Sequence, residues 1–407
     1  MLNHSARNTL VYFSPVACPD PEGEVLELPR KFVDGLFAFA DLWDGEINML
    51  LPRATERTDA LDYVRVPRAQ LPNKTHLLTN NPAALCAHLA SAALALVPLV
   101  PQYVQLHDLC AQAQTPIVYD ADYTHAIRRQ IVYAETRNPL KRWRRIYWLK
   151  QREKFFPAHI RAAAGIQFQG TPAYDEYAAF NRSPLLYFDT RMPRAMLATF
   201  EQMRARATRL RSGAPLRLIY SGRWNAIKGV DDLPRTAQAL QQLNIPFELD
   251  IFGGGTLDSQ LRHMLAAAQL PTVRLRGEYT FSELMQYAAN TCDLFICCHR
   301  QGDPSTTFNE MMGAGIPLLG YNQSGLRGLV ERSGAGQVTR RNDPATLAQH
   351  IAALARERET ITAMADAAAA FTREIHFEGV MQRRVAHLHA ARHGKIFEDA
   401  ASGARAH

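Results

Sequence analysis

Cysteine is scarce: the 407 residues hold six, at 18, 86, 110, 292, 297 and 298. None forms a C-x-x-C pair, which excludes a disulfide framework and a zinc ribbon and fits reduced thiols in a cytosol. Strongly apolar runs of membrane-spanning length, about 20 residues, are also missing. The longest uncharged stretch, Ala83 to Gln105, is largely alanine and is interrupted by His88, Pro98 and Pro101. It reads as a core helix from Ala83 to about Leu96, then a turn and a strand. No apolar signal core precedes Thr9, so a cytoplasmic location is expected. No repeat of solenoid period and no recognised nucleic-acid module is visible. Neither sign of charge dominates: 46 Lys and Arg against 39 Asp and Glu leave +7. That moderate excess favours acidic partners such as nucleotide diphosphates or anionic lipid.

What is present is ordinary globular composition, 47% apolar and 21% charged, on a chain long enough for two or three domains. Short apolar runs alternate with segments of helical spacing. In the first half the strand-like runs are Thr9–Val16, Ile47–Leu51, Tyr63–Val66, His76–Thr79, Pro101–Asp108, Pro116–Tyr119 and, last, Gly165–Gly170. In the second half they are Leu216–Tyr220, Phe247–Phe252, Val273–Leu275, Asp293–Cys298 and Ile316–Gly320. Alternating strands and helices predict an α/β chain with doubly wound parallel sheets. Domain one is expected over 1–205, a basic, turn-rich linker over 206–215, domain two over 216–375, a returning helix over 376–395 and a disordered polar tail over 396–407.

In such sheets ligands bind outside the carboxyl ends of the strands. Four strand ends in the second half carry suitable residues. The first is Gly222-Arg223-Trp224-Asn225-Ala226-Ile227-Lys228-Gly229, two cations at fixed spacing after a strand. The second is Gly253-Gly254-Gly255, which lets backbone approach a ligand closely. The third is Arg276-Gly277-Glu278-Tyr279. The fourth follows Asp293–Cys298: Asp303-Pro304-Ser305-Thr306 reads as a helix start, with Asp303 at the cap and Pro304 in the first turn. The free N–H groups of that turn, with Ser305, Thr306 and Thr307, can receive an anion. Glu310 lies further along the same helix.

This order of motifs resembles the donor half of family 4 glycosyltransferases with the GT-B fold. The resemblance is specific over Gly222–Gly320 and only architectural over 1–200. It implies two Rossmann-like domains facing across a cleft, acceptor on the first and nucleotide-sugar on the second. Arg223 and Lys228 match the pair that binds the donor diphosphate in G-R-x-x-x-x-K-G. Gly222, Gly253, Gly254, Gly277 and Glu278 match donor-site strand ends. Glu310 matches the second Glu of the family's paired-Glu pattern, which would grip the ribose hydroxyls. The first Glu falls on Gly302, a departure; Asp303 is either a plain helix cap or its stand-in. The resemblance implies transfer of a sugar to an acceptor hydroxyl with retention, in surface polysaccharide, lipopolysaccharide or glycolipid assembly. It implies no metal or other cofactor, since two cations and a helix start neutralise the diphosphate. A sugar-nucleotide epimerase or a non-catalytic scaffold would share this fold and site.

On the first-half wall, His107, Asp108, Asp120 and Asp122 are expected at strand ends, where they would orient the acceptor; loop caps are the other reading. His107, Asp120 and His299 are candidates to assist transfer, beside Arg223, Lys228 and Glu310. Arg137–Arg161 is the most polarised segment, rich in Lys and Arg with Trp143, Ile146, Tyr147 and Phe155 near helical spacing. It can lie on an anionic membrane, giving a peripheral location at its inner face, or it can be a solvated basic face over an aromatic core stripe.

Overall fold

The computed structural model describes residues 8–54 and 62–398. Fifteen strands are numbered in chain order: β1 Leu10–Phe13, β2 Val25–Pro29, β3 Ile47–Leu51, β4 Tyr63–Pro67, β5 Lys74–Leu77, β6 Leu94–Pro98, β7 Ile117–Ala121, β8 Gly165–Gln169, β9 Pro184–Tyr187, β10 Leu216–Ser221, β11 Phe247–Phe252, β12 Val273–Gly277, β13 Leu294–Cys297, β14 Leu318–Tyr321 and β15 Gly336–Thr339. Thirteen of them form a seven-stranded sheet, β5-β3-β1-β6-β7-β8-β9, and a six-stranded sheet, β12-β11-β10-β13-β14-β15, while β2 and β4 pair apart from both. Every pairing in both is parallel. The central strands are buried end to end, which is why they are apolar runs without alternation. The chain is therefore a two-sheet α/β protein.

Several expectations are corrected. Leu94–Pro98 is not the end of a helix: the helix is Pro82–Ala90, and the apolar run after it fills the middle of the first sheet. Pro101–Asp108 is not a strand. It forms a short turn of helix at Pro101–Tyr103 and then the helix Leu106–Gln112, because Leu106 and Cys110, one turn apart, are the residues it buries. Tyr63–Pro67 pairs antiparallel with β2, outside the main sheet. Gly165–Gln169 is not the last strand, since β9 pairs with it at the edge. The stretch 206–215 is not a free linker. Thr199 and Gln202 form a capping box that starts the helix Phe200–Arg211. Buried Arg206 on that helix donates to the carbonyls of Cys292, Ala289 and Ala314 in the second domain. The tail residues 399–407 lie outside the described residues.

The chain passes between the sheets after β9, where Phe188 and Met192 enter the core of the second domain with Phe308 and Met311. The last helix, Phe377–Arg392, packs against the first sheet and its Arg30–Leu42 helix. Arg384, itself buried, donates to Gln167 Oε1 at 2.8 Å and Asp120 Oδ2 at 2.7 Å. Its guanidinium lies over the rings of Tyr187 and Phe39, 4.3 and 5.1 Å from their centroids.

Candidate active site

In the second sheet β12, β11, β10 and β13 lie side by side, and the chain leaving β13 leads into the helix Thr306–Gly313. After β10 the chain turns through Gly222, and Trp224 N–H donates to the Gly254 carbonyl at 2.8 Å. Asn225 then caps a short turn, accepting from Lys228 N–H at 3.1 Å. Gly229 has φ +64°, and a Cβ there would stand 2.0 Å from the Cys298 carbonyl. The glycine thus lets the Lys228 turn sit directly on the end of β13. Gly253, at φ +122°, packs on Gly222 in the same way.

These contacts place Lys228 in a nearly closed environment. Its Nζ lies 2.8 Å from Asp303 Oδ2, with side chains 9% and 10% exposed. Asp303 is thus not the cap of the following helix: Ser305 is the cap residue and Thr306 the first helical one. The correction has a simple cause, since the Lys228 ammonium holds the carboxylate that would otherwise cap. Burial alone would raise the Asp303 pKa, but Lys228, then His299, bring it well below the usual carboxylate range. Buried His299 has its Nδ1 3.7 Å from Asp303 Oδ1, and neither atom has a hydrogen-bond partner. Burial, then Lys228, push the His299 pKa down to about 4, so the ring is neutral at pH 7.

Arg223 is half-buried, and no carboxylate pairs with it among the described residues. Its charge opposes protonation of His299 and favours ionisation of Tyr123, a residue of the first domain, which places it along the seam between them. Glu310 is buried, and its Oε1 accepts from Arg191 Nε at 2.9 Å. Arg191 reaches on to Asp62 at 2.9 Å and lies over the Phe281 ring. Glu310 therefore faces the interdomain seam, not the apolar core. Ser305, Thr306 and Thr307 are half-buried at the helix start. Lys31 of the first domain donates to Thr306 Oγ1 at 2.7 Å and also pairs with Asp189. Gly277 ends β12 at φ +74°; Glu278 is exposed beside Gly254, and the Tyr279 ring stands edge-on to Phe252.

Gly302 explains the departure from the paired-Glu pattern. Its N–H donates to Gln130 Oε1 of the first domain at 2.8 Å. A Cβ there would lie 2.2 Å from Ser324 Oγ and 3.4 Å from Ile127. The position is packed between domains, and any side chain there would have to displace Ser324 Oγ.

The first-domain candidates are only partly brought together. Asp120 is at the end of β7 but is committed: Tyr187 donates to Oδ1 at 2.8 Å and Arg384 to Oδ2. It ties the last helix down and does not stand free for an acceptor. His107 and Asp108 lie in the first turn of a helix. His107 Nδ1 is 3.1 Å from Tyr119 Oη, and its ring stacks on His159 at 4.2 Å. Asp122 is half-buried at the cleft. Burial, then the charges of Asp120 and Asp189, raise its pKa to about 7 against the pull of Lys31 and Arg384. Lys31, Asp189 and Arg191 were not foreseen in the sequence; each is a lone charged residue outside any motif.

Residues 203–371 match the family model of glycosyl transferases group 1. No curated protein matches the chain. Among solved structures, Anabaena HepE in complex with UDP is similar at 15% identity over 94% of this chain and 100% of its own, TM-score 0.64. The sucrose-phosphate synthase of Thermosynechococcus elongatus matches at 13% identity over 94% and 98%, TM-score 0.60. A glycosyltransferase from Rickettsia africae matches at 10% over 94% and 98%, TM-score 0.60. Identities this low speak to the fold, and the fold is that of two-domain GT-B enzymes. The chain thus has the GT-B architecture, and its residues 203–371 form a region that matches the glycosyl transferases group 1 family.

Proposed function

We propose that the chain moves a sugar from a nucleoside-diphosphate donor to an acceptor hydroxyl, with retention, in assembly of a bacterial-type surface polysaccharide, lipopolysaccharide or glycolipid. The observation that carries this reading is the convergence of Arg223, Lys228 and the start of the Thr306–Gly313 helix at one cleft. HepE has been crystallised with UDP-glucose, and a donor of that class suits these charges. As the sugar leaves, negative charge grows on the diphosphate; fixed cations and backbone N–H groups stabilise that charge most in the transition state. Asp303 holds Lys228 until a phosphate replaces it. Glu310 grips the ribose, and Asp122 is the first-domain carboxyl best suited to exchange a proton with the acceptor near neutral pH.

The cations supply the counter-charge, so transfer should persist in EDTA. A thermal-shift screen of nucleoside diphosphates tests the donor site, since a ligand of the folded state raises the melting temperature. No shift with any of them would defeat the assignment. A second reading, a nucleotide-sugar scaffold without turnover, is favoured by Gly302 alone. Tight diphosphate binding with no consumption of any donor sugar would support it.

A further inference from the structure

The segment 137–161 is broken at Lys154–Phe155 into the helices Pro139–Glu153 and Phe156–Ala162. In the first of these the buried residues are Leu149 and Glu153. Leu140, Trp143 and Tyr147 recur at i, i+3 and i+7 on the opposite face. They are 66%, 62% and 53% exposed, and Trp148 beside them is 39% exposed. Trp143 and Tyr147 stack on each other in the open, with centroids 5.7 Å apart. The aromatic stripe is therefore not the helix's core contact; it points away from the protein. Exposed Lys141, Arg144, Arg145, Lys150 and Arg152 surround it. The helix's only acid, Glu153, is turned inward, where it pairs with Arg128 and contacts the His125 ring. Arg145 meets exposed Glu135 of the preceding helix, and the other four cations have no carboxylate partner among the described residues.

We propose that the outward face of Pro139–Glu153 docks on an anionic lipid bilayer, with Leu140, Trp143 and Tyr147 at the headgroup boundary and the flanking cations on lipid phosphates. The chemistry is that of an interfacial helix: apolar side chains enter the boundary, and cations are attracted by the negative surface. An acidic protein would supply the charge but gives no reason for an outward stripe of Leu, Trp and Tyr. Among the described residues no helix is long and apolar enough to cross a membrane, so contact would be from one side. The placement suits delivery of an acceptor. The neighbouring helix His125–Glu135 packs against this one and reaches the cleft, where its Gln130 holds Gly302 N–H. The surface does not depend on the donor site and stands if the proposed acceptor class is wrong.

The test is co-sedimentation of the full chain with vesicles of phosphatidylcholine alone and of phosphatidylcholine with about a third phosphatidylglycerol. Binding should be confined to the anionic vesicles and weaken with added salt. The variant Leu140→Ser/Trp143→Ser/Tyr147→Ser should bind at least roughly tenfold more weakly. It should keep its melting temperature and any nucleoside-diphosphate shift, because the three side chains are exposed. Trp43 and Trp224 are buried, so brominated lipid should quench emission from Trp143 and Trp148. Equal binding to neutral vesicles, no binding to either, or an unchanged triple variant would overturn the proposal. So would tighter binding to an oligonucleotide, or self-association through the stripe without lipid.

Discussion

Removing either cation of the proposed donor site should have different consequences, and the difference is calculable. Lys228 and Asp303 form a buried pair at 2.8 Å. With an effective dielectric of about 20 their attraction is at most about 6 kcal/mol. In Lys228→Ala the carboxylate remains, buried beside a neutral histidine and without its counter-charge. Breaking a buried pair from one side costs about 3–5 kcal/mol. At about 2–4 °C per kcal/mol for a domain of this size, the melting temperature should fall by roughly 6–20 °C. Asp303→Asn in the same background removes the stranded charge and should recover about 2–3 kcal/mol. Arg223→Ala strands nothing, and its melting temperature should stay close to that of the parent. Its effect should appear in ligand binding: a lost charge-assisted hydrogen bond of about 1.5–3 kcal/mol weakens diphosphate affinity roughly ten- to hundredfold. The assays are urea denaturation and calorimetric titration on these three variants and on Asp303→Asn alone. The reasoning fails if Lys228→Ala is no less stable than Arg223→Ala, or if the Lys228 and Asp303 effects simply add.

Gly302→Glu, which would restore the family's paired-Glu pattern, should lower stability and activity together, because the new Cβ meets Ser324 Oγ at 2.2 Å; a stable, more active variant would refute the packing argument. The Asp122 pKa is raised from 3.8 to about 7, so the folded chain holds a proton there that the unfolded chain has lost. Its contribution to stability is complete below pH 3.8 and disappears as pH rises through about 7. Asp122→Asn should flatten the melting temperature against pH over that window, and an unchanged profile would count against the shift. Arg384→Ala leaves half-buried Asp120 without its cation and should cost about 1.5–3 kcal/mol. Hydrogen exchange should then rise first in Phe377–Arg392, which a uniform loss of protection would contradict.

Two levels of order differ in how far they could be read from residues alone. The sheets were legible because burial on both faces writes an apolar run into each central strand, as in Phe247–Phe252 and Leu294–Cys297. The Gly222–Gly229 turn was legible for a related reason. It sets a left-handed glycine against the end of β13 and two cations at one spacing, all within eight residues of chain. Local rules failed where a distant charge had the last word. Asp303-Pro304 has the form of a helix start, but Lys228, 75 residues earlier, takes the carboxylate and the cap moves to Ser305. Asp120 has the form of a strand-end ligand, but Arg384, 264 residues later, claims it. Glu310 is held by Arg191, which no motif marks. In each case a short-range preference of about 1 kcal/mol gives way to a distant cation, because a carboxylate left without its partner at such a site costs more than a lost cap. Positions of charged residues in such a cleft are therefore set by the fold as a whole, and a motif predicts which residues are present there more reliably than which partner each one holds.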